Sequence, residues 1–258
     1  MKILSAAFLL LLGLGLSTAA RADTVNSTGI KFVAGQPFFT VPAGPVTGTA
    51  GAPGFAQGDW NNLSGNSGSA SGLINSSGQT TGIDVTWSSI DAWQALSGAP
   101  ATQNAQLMNG YLDNTIQITA TGIPYGSYEV VVYFNGDTPS QNRVSQYQIG
   151  STSIFAQDNA AFGGTFIQVP STSNADLGTS TPAGNYVIFN NLSGSSFTLD
   201  ATPGSTLGTP RAVVNAIQIV PTPEPLTSLL LLAGLVCLGS LAFVRARCLA
   251  ASSNLCSR

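Results

Sequence analysis

A proline cluster followed by a long uncharged run near the C-terminus most strongly limits how this chain can fold. Residues 221–225 have the sequence Pro-Thr-Pro-Glu-Pro, which can continue neither a strand nor a helix. The nineteen residues 226–244 carry no charge, and Arg245 and Arg247 follow them. A helix of that length, rising about 1.5 Å per residue, crosses a hydrocarbon core of about 30 Å. We therefore predict that a folded domain ends near residue 220 and that 226–244 form a transmembrane helix.

The order of these features resembles the PEP-CTERM sorting signal of Gram-negative bacteria. In that family a Pro-Glu-Pro motif precedes a membrane helix and a short basic tail, and a membrane protease called exosortase recognises the signal. The resemblance implies that Pro223, Glu224 and Pro225 form the recognised motif. It also implies that Arg245 and Arg247 hold the cytoplasmic end of the helix.

The N-terminus has the features of a secretory signal peptide. A positive start precedes an apolar stretch too short to span a bilayer comfortably, and Ala-Arg-Ala at 20–22 fits a small-x-small cleavage site. A second transmembrane helix is the alternative. We expect the secretion machinery and signal peptidase to process 1–22, and 23–220 to form one exported domain. We expect 221–247 to sort and anchor the chain, first in the inner membrane and then at the cell surface or extracellular matrix, and 248–258 to be a cytoplasmic tail.

The predicted exported domain is acidic and poor in charge. Residues 23–220 contain Lys31, Arg143 and Arg211 against nine aspartates and Glu129, a formal net charge of −7. Such a surface repels phosphate backbones, so we expect no nucleic-acid partner. The chain has no histidine, and its three cysteines all follow the proline cluster. The exported domain therefore has neither a Ser-His-Asp or Cys-His centre nor an ordinary zinc site.

Short runs of β-branched and aromatic residues alternate with turns rich in Gly, Ser, Asn and Pro, which predicts an all-β fold. Isoleucines alternate with polar residues over 115–119, which is the period of a half-buried strand. Residues 128–134 are apolar on both faces apart from Glu129 and predict a central strand. We expect an antiparallel β-sandwich or jelly roll. The predicted strands are 30–33, 83–87, 115–119, 128–134, 144–149, 165–169, 186–189, 197–199 and 212–220.

Two regions carry a weaker strand signal. Residues 44–82 are rich in Gly, Ser and Asn, and we predict long surface loops there. Residues 91–96, Asp-Ala-Trp-Gln-Ala-Leu, predict a short helix that Ser89 or Asp91 could cap. A further helical turn is predicted within 103–110.

Two segments are similar to strands of galactose-binding-like and malectin-like jelly rolls. Residues 126–134, Gly-Ser-Tyr-Glu-Val-Val-Val-Tyr-Phe, resemble the Gly-x-Tyr-x-Val-x-Val-Tyr-Phe strand of that group. Residues 211–219 resemble its closing strand, with Asn-Ala-Ile at 215–217. The two segments cover under a tenth of the chain. The resemblance implies a jelly-roll sandwich and, as a family property, carbohydrate binding.

The side chain most suited to sugar binding is Trp60, in the polar segment Gly-Asp-Trp-Asn-Asn at 58–62. An indole beside Asp59 and Asn61 offers a sugar ring an apolar face, with hydrogen-bonding groups for its hydroxyls. The alternative is that Trp60 folds back and anchors the long loop on the sandwich.

Other polar side chains lie where a ligand or a metal could use them. Asn215 shares a strand face with apolar residues, and a buried amide must be hydrogen-bonded, so it either holds a neighbouring loop or contacts a ligand. Asp137 and the Asp-Asn pairs at 113–114 and 158–159 offer oxygen ligands of the kind calcium prefers. Turn formation is the alternative explanation for them. We expect no other metal or cofactor.

These observations leave three functions open. The first is a non-catalytic structural or adhesive component of the cell surface or matrix. The second is a lectin-like module that holds a polysaccharide through Trp60 and its polar neighbours. The third is a glycoside hydrolase, which needs only two carboxylates, although the spacing of the acidic residues marks out no pair.

Overall fold

A computed structural model describes this chain over residues 26–33, 43–95, 100–137, 143–158, 161–204 and 211–222. The chain divides into two compact units, 1–222 and 223–258. The predicted signal peptide, the sorting motif and the segment 226–244 all lie outside the described residues. Within those residues, no helix has both the length and the apolar character needed to cross a membrane.

The described residues are mostly β-strands, as the sequence predicts. In chain order the strands are β1 (Thr28–Val33), β2 (Asn61–Ser64), β3 (Ser67–Ala70), β4 (Asp84–Gln94), β5 (Gly110–Thr121), β6 (Tyr128–Tyr133), β7 (Val144–Ile149), β8 (Thr152–Asp158), β9 (Ala183–Gly184), β10 (Tyr186–Leu192), β11 (Ser196–Pro203), β12 (Ala212–Val214) and β13 (Ala216–Pro221). One α-helix, α1 (Gln103–Leu107), and a 3₁₀ turn at Gly178–Ser180 complete the regular elements of the described part.

The strands form two sheets within the described residues. The smaller follows the order β10-β6-β13-β1-β2, and the larger follows β3-β4-β5-β11-β7-β8-β9, with β12 also paired to β5. Strand pairs are antiparallel except β1 with β2 and β8 with β9, which are parallel. The prediction of an all-β antiparallel sandwich is confirmed, and β6 is central because it lies between β10 and β13.

The main core fills the space between the two sheets. Tyr128, Val130 and Val132 of β6 belong to it, together with Ile118 of β5 and Leu199 of β11. Alternate residues of a strand point to opposite faces of its sheet. Each fully buried side chain of this size stabilises the fold by about 1.5–3 kcal/mol relative to an exposed one.

A second core covers the outer face of the smaller sheet. Val131 and Tyr133, the residues of β6 that alternate with the first set, pack there against Leu107 of α1 and against residues 43–60. We call residues 43–60 the cap. An apolar sheet face must be covered, and the cap covers this one. The prediction that 44–82 are surface loops is therefore wrong, because the region holds the cap as well as β2 and β3.

Buried hydrogen bonds attach the cap to the sheet. The amide of Gln218 in β13 donates to the carbonyl of Phe55 and to Oε1 of Gln57, each at 2.8 Å. The hydroxyl of Tyr133 donates to Oε1 of Gln218 at 3.0 Å and accepts the N–H of Ala52 at 3.2 Å. These bonds satisfy polar groups that would otherwise be buried without partners.

Three local predictions have different outcomes. The predicted helix at 91–96 is wrong, because β4 continues to Gln94 after a register shift and pairs Trp93 with Tyr111. The ladder with β5 outweighs the weak helix propensity of so short a segment. The predicted strand at 165–169 is also wrong, since Gln168 makes only an isolated bridge there. The helical turn predicted within 103–110 is confirmed as α1.

Candidate functional site

Trp60, the last residue of the cap, is buried against the smaller sheet rather than exposed in an open groove. Its side chain is 4% exposed, and its indole N–H donates to the carbonyl of Gln57 at 3.1 Å. The ring meets that of Tyr133 edge-on, with ring centroids 6.1 Å apart. This is the arrangement of the anchoring alternative, and it offers no free indole face to a sugar.

The neighbours of Trp60 do not form a binding surface with it. Asp59 is exposed and adopts a left-handed backbone conformation with φ of 51°. The amide of Asn61 donates to the carbonyls of Gly29 and Ile74 at 2.9 and 2.8 Å, and its oxygen accepts the N–H of Ile74. Asn61 therefore joins β1 to a neighbouring loop, and its hydrogen-bonding groups are already occupied.

Asn215 is fully buried at the break between β12 and β13, which splits the predicted strand 212–220. Its amide donates to the carbonyl of Gly110 at 3.0 Å, and its oxygen accepts the N–H of Asn135. The ammonium of Lys31, also fully buried, donates to the same carbonyl of Gly110. Burial lowers the pKa of Lys31 well below its ordinary value. Asn215 thus holds neighbouring segments together, which is the structural alternative to a ligand contact.

The three aspartates considered for calcium meet at one end of the sandwich, together with two arginines. Arg211 pairs with Asp113 and lies 3.8 Å from Asp137, and Arg143 lies 3.3 Å from Asp137. Asp158 interacts electrostatically with Arg143 and Asp137. Among the described residues, no group of three or more acidic, His or Cys side chains is arranged to hold a metal ion. The guanidinium groups supply the positive charge in this ionic cluster, so we do not propose a calcium site.

Asp158 is the most perturbed carboxyl group of the ionic cluster. Oδ2 accepts the N–H of Gly136 at 2.8 Å, whereas Oδ1 has no hydrogen-bond partner among the described residues. Burial raises the pKa of Asp158 to about 7, against the lowering effects of the Gly136 N–H and of Arg143. The carboxyl group of the folded protein is therefore protonated in acid and half-ionised near pH 7.

The opposite end of the sandwich contains an open cleft of about 390 Å³. β5 connects the two ends: Asp113 near its start lies in the ionic cluster, and Thr121 at its end pairs with Ser196 of the cleft. Volumes of about 300–1,000 Å³ are usual for small-molecule sites. The cleft is the candidate functional site of the described structure.

Buried apolar side chains line the inner part of the cleft. Ile149, Phe197 and the half-buried Leu192 contribute aliphatic and aromatic surface, and Tyr128 is fully shielded from solvent. The rings of Tyr128 and Phe197 pack with centroids 6.2 Å apart. Gly150 in the turn between β7 and β8 completes this side without a side chain.

Among the described residues of this lining, Tyr128 has the one buried polar side-chain group without a hydrogen-bond partner. Its hydroxyl is buried and has no hydrogen-bond partner, and burial raises its pKa. A buried hydroxyl without a partner costs about 1–3 kcal/mol. Such a group in a native protein needs an explanation, and one explanation is a ligand that reaches it.

Polar side chains form the rim of the cleft. Ser193 and Ser196 are exposed, and Thr198 shares a hydrogen bond of 3.0 Å with Thr119. Oδ1 of Asp200 accepts the amide of Gln117 at 2.9 Å, which fixes the carboxylate at the edge. No Lys or Arg is found among the described residues that line the cleft.

No motif in the sequence identifies the residues of this cleft. The sequence places Tyr128 in a predicted strand only, and the predicted strand that contains Phe197 ends before Asp200. The available signal was a tyrosine at the first position of an apolar strand, where its hydroxyl can reach the edge of the core. That signal does not identify the distant turns that complete the cleft.

The fold places the described region in the class of two-sheet β-sandwiches with one covered outer face. No protein-family profile and no curated protein matches the chain. Similar solved structures include the plant receptor-like kinase ANX1, with 14% identity over 77% of this chain and a TM-score of 0.38. The ANX2 ectodomain from Arabidopsis thaliana has 15% identity over 81% and a TM-score of 0.38.

A chain of the complex of the plant peptide RALF23 with FER and LLG2 has 13% identity over 77% of this chain and a TM-score of 0.36. This chain spans 51% of the ANX1 structure, 57% of the ANX2 ectodomain and 40% of the chain in that complex. Similarities this distant carry no argument about function.

Proposed function

We propose that this chain is an exported, non-catalytic structural or adhesive protein of the bacterial cell surface or extracellular matrix. The observation that carries the proposal is the placement of charge in the exported domain. Lys31 is fully buried, and the side chains of Arg143 and Arg211 are 4% and 19% exposed and paired with aspartates. These are the three cations of residues 23–220.

The surface that remains is neutral to acidic. Asp59 and Asp84 are exposed, and the other exposed polar side chains are mainly Ser, Thr, Asn and Gln. A net negative charge favours solubility, and uncharged hydroxyl and amide groups remain hydrated while offering hydrogen bonds to hydroxyl-rich polymers. This surface suits a protein that resides in a polysaccharide matrix.

The location follows from the sequence resemblance. β13 ends at Pro221, two residues before the Pro-Glu-Pro motif at 223–225. We propose that exosortase recognises this motif while 226–244 hold the chain in the inner membrane. Replacing Glu224 by Gln should leave unprocessed protein in the membrane fraction, and Thr227→Ser, a neighbouring control, should be processed normally. Normal processing of Glu224→Gln would contradict recognition of that carboxylate.

The absence of catalysis is part of the proposal. A glycoside hydrolase places two carboxyl groups on either side of a sugar-sized cleft. Asp200 is the one carboxylate among the residues that line the cleft described here, and Asp113 and Asp137 are paired with arginines at the other end. Release of reducing sugar from the host matrix by the purified chain would contradict this part of the proposal.

Carbohydrate binding is a second candidate function, and the cleft at Tyr128 favours it. Trp60 no longer supports it, because its indole is buried. A pull-down of the purified chain with polysaccharide extracted from the host matrix tests the two candidates together. Binding that survives high salt indicates recognition of sugar, and recovery of the chain at the surface without such binding indicates a structural role alone.

A further inference from the structure

We propose that the cleft binds a neutral sugar residue and that the hydroxyl of Tyr128 is its innermost hydrogen-bonding group. The inference specifies the ligand class for the carbohydrate-binding candidate function and rests on that candidate. The proposed sugar site lies at the end of the sandwich where β6 and β11 begin, and not at Trp60 in the cap.

The inner surface of the cleft matches the apolar face of a sugar ring. Ile149, Leu192 and Phe197 contribute carbon surface on neighbouring walls. Sugar rings present C–H groups on their faces and hydroxyls around their edge. A site that combines apolar lining with a few placed polar groups is the usual form for such a ligand.

The rim provides partners for the hydroxyls at the edge of the ring. Ser193 and Ser196 expose hydroxyl groups that both donate and accept. The carboxylate of Asp200 accepts one bond from Gln117, and a carboxylate has further lone pairs that can accept from a ligand. Ser193, Ser196 and Asp200 all line this one cleft.

The unpartnered hydroxyl of Tyr128 favours the binding of a polar ligand over an apolar one. In the empty protein this hydroxyl has no hydrogen-bond partner among the described residues, so a ligand that bonds to it breaks no existing bond. Because Tyr128 is 0% exposed, the ligand reaches it only when the side chains that cover it shift. A ligand hydroxyl that reaches it relieves the desolvation cost of a polar group that is already buried. A purely apolar ligand would leave that cost in place.

The charge of the cleft decides between neutral and acidic sugars. Among the described residues that line the cleft, Asp200 is the sole Asp or Glu, and none is a cation that could pair with a uronate. The cations of the exported domain, Lys31, Arg143 and Arg211, are buried or paired elsewhere in the described structure. A carboxylate on the ligand would therefore face Asp200 without compensation.

The experiment uses the full chain, purified in a detergent without a sugar headgroup. Saturation-transfer NMR and calorimetric titration are carried out with maltose, cellobiose, lactose, a mannobiose and the neutral polysaccharide fraction of the host matrix. A disaccharide containing glucuronic acid is the charged comparison. We expect at least one neutral ligand to bind, and the uronate ligand to bind at least tenfold more weakly.

Three variants localise the binding. Ser193→Trp adds an indole at the exposed rim without altering the core, and it should abolish binding. Tyr128→Phe removes only the hydroxyl and should weaken binding about tenfold. Tyr111→Phe is the matched control, because it removes a tyrosine hydroxyl that donates to Asp137 at the other end of the sandwich, and it should leave affinity unchanged.

The outcomes separate this inference from the proposed location. The inference is overturned if none of the neutral ligands binds to the folded chain. It is also overturned if neither Ser193→Trp nor Tyr128→Phe changes the binding. Tighter binding of the uronate ligand would overturn the neutral class. None of these results changes the expected processing of Glu224→Gln, so the sorting proposal can stand or fail independently.

Discussion

The indole of Trp60 meets the ring of Tyr133 at an interplanar angle of 71°, with ring centroids 6.1 Å apart. The contact joins the cap to the central strand β6 of the smaller sheet. Trp60 therefore contributes to stability, and its effect on ligand binding should be indirect.

Trp60→Ala should destabilise the domain by about 3–5 kcal/mol, because it removes a buried aromatic side chain and leaves a cavity under the cap. Thermal unfolding followed by near-ultraviolet circular dichroism measures the change. Ile90→Ala is the control, since Ile90 is 65% exposed and its truncation should change stability by less than about 0.5 kcal/mol. Equal losses in the two variants would contradict the buried position of Trp60.

Asn215→Leu should destabilise the domain by about 2–3 kcal/mol, because it leaves the buried N–H of Asn135 without an acceptor. The carbonyl of Gly110 also loses one of its donors but keeps Lys31. Urea unfolding of the purified chain measures the difference. Asn174→Ala, at an exposed position, should behave as the unmodified protein. A neutral effect of Asn215→Leu would argue against the hydrogen bonds described here.

The stability of the protein should depend on pH through Asp158. Its pKa is raised from 3.8 to about 7 in the folded state by burial, so the folded state binds more protons than the unfolded state between about pH 4 and 7. The contribution of this group to stability is therefore greatest in acid and falls as the pH rises from about 4 to about 7. Above about pH 7 the carboxyl group is ionised in both the folded and the unfolded state. The free-energy cost of burying the charged form then no longer changes with pH.

Asp158→Asn should remove this contribution to the pH dependence, because an amide oxygen can still accept the N–H of Gly136 and carries no proton to lose. At pH 8 the variant should be more stable than the unmodified protein by about 1–4 kcal/mol. Urea unfolding at pH 4.5, 6 and 8 measures both proteins. A stability difference between them that is constant over this range would contradict the raised pKa.

Tyr128→Phe should stabilise the ligand-free protein by about 1 kcal/mol, because it removes a buried hydroxyl that has no partner in the described structure. Tyr147→Phe is the matched comparison, since the hydroxyl of Tyr147 donates to the carbonyl of Val213 at 2.8 Å. That variant should lose about 1 kcal/mol. Thermal unfolding measures both, and a loss of stability in Tyr128→Phe would indicate that its hydroxyl has a partner.

The strands that the sequence predicts well are those with a clear local pattern. Alternation over 115–119 and the apolar run over 128–134 correspond to β5 and β6, because the two-residue period is a property of the extended backbone itself. The helix predicted at 91–96 is wrong for the opposite reason. Its short helix-compatible pattern is local, whereas the ladder that pairs Trp93 with Tyr111 is not.

The candidate site was much less predictable than the fold. Trp60 stands in a polar segment, and its burial depends on an apolar sheet face contributed by β6 and β13. Asp113, Asp137 and Asp158 each occupy turn-like contexts in the sequence, yet the fold gathers them beside Arg143 and Arg211. Neither arrangement leaves a signal in the local residues.

The sequence by itself determined the all-β class, the positions of most strands, and the lack of His and Cys chemistry in residues 23–220, because these follow from residue type and short-range periodicity. Only the tertiary structure decided that Trp60 is covered, that the aspartates pair with arginines, and that Tyr128 borders a cleft. Each of these depends on which distant segments come together. The physical reason is that burial and electrostatic environment are set by contacts between residues far apart in the chain.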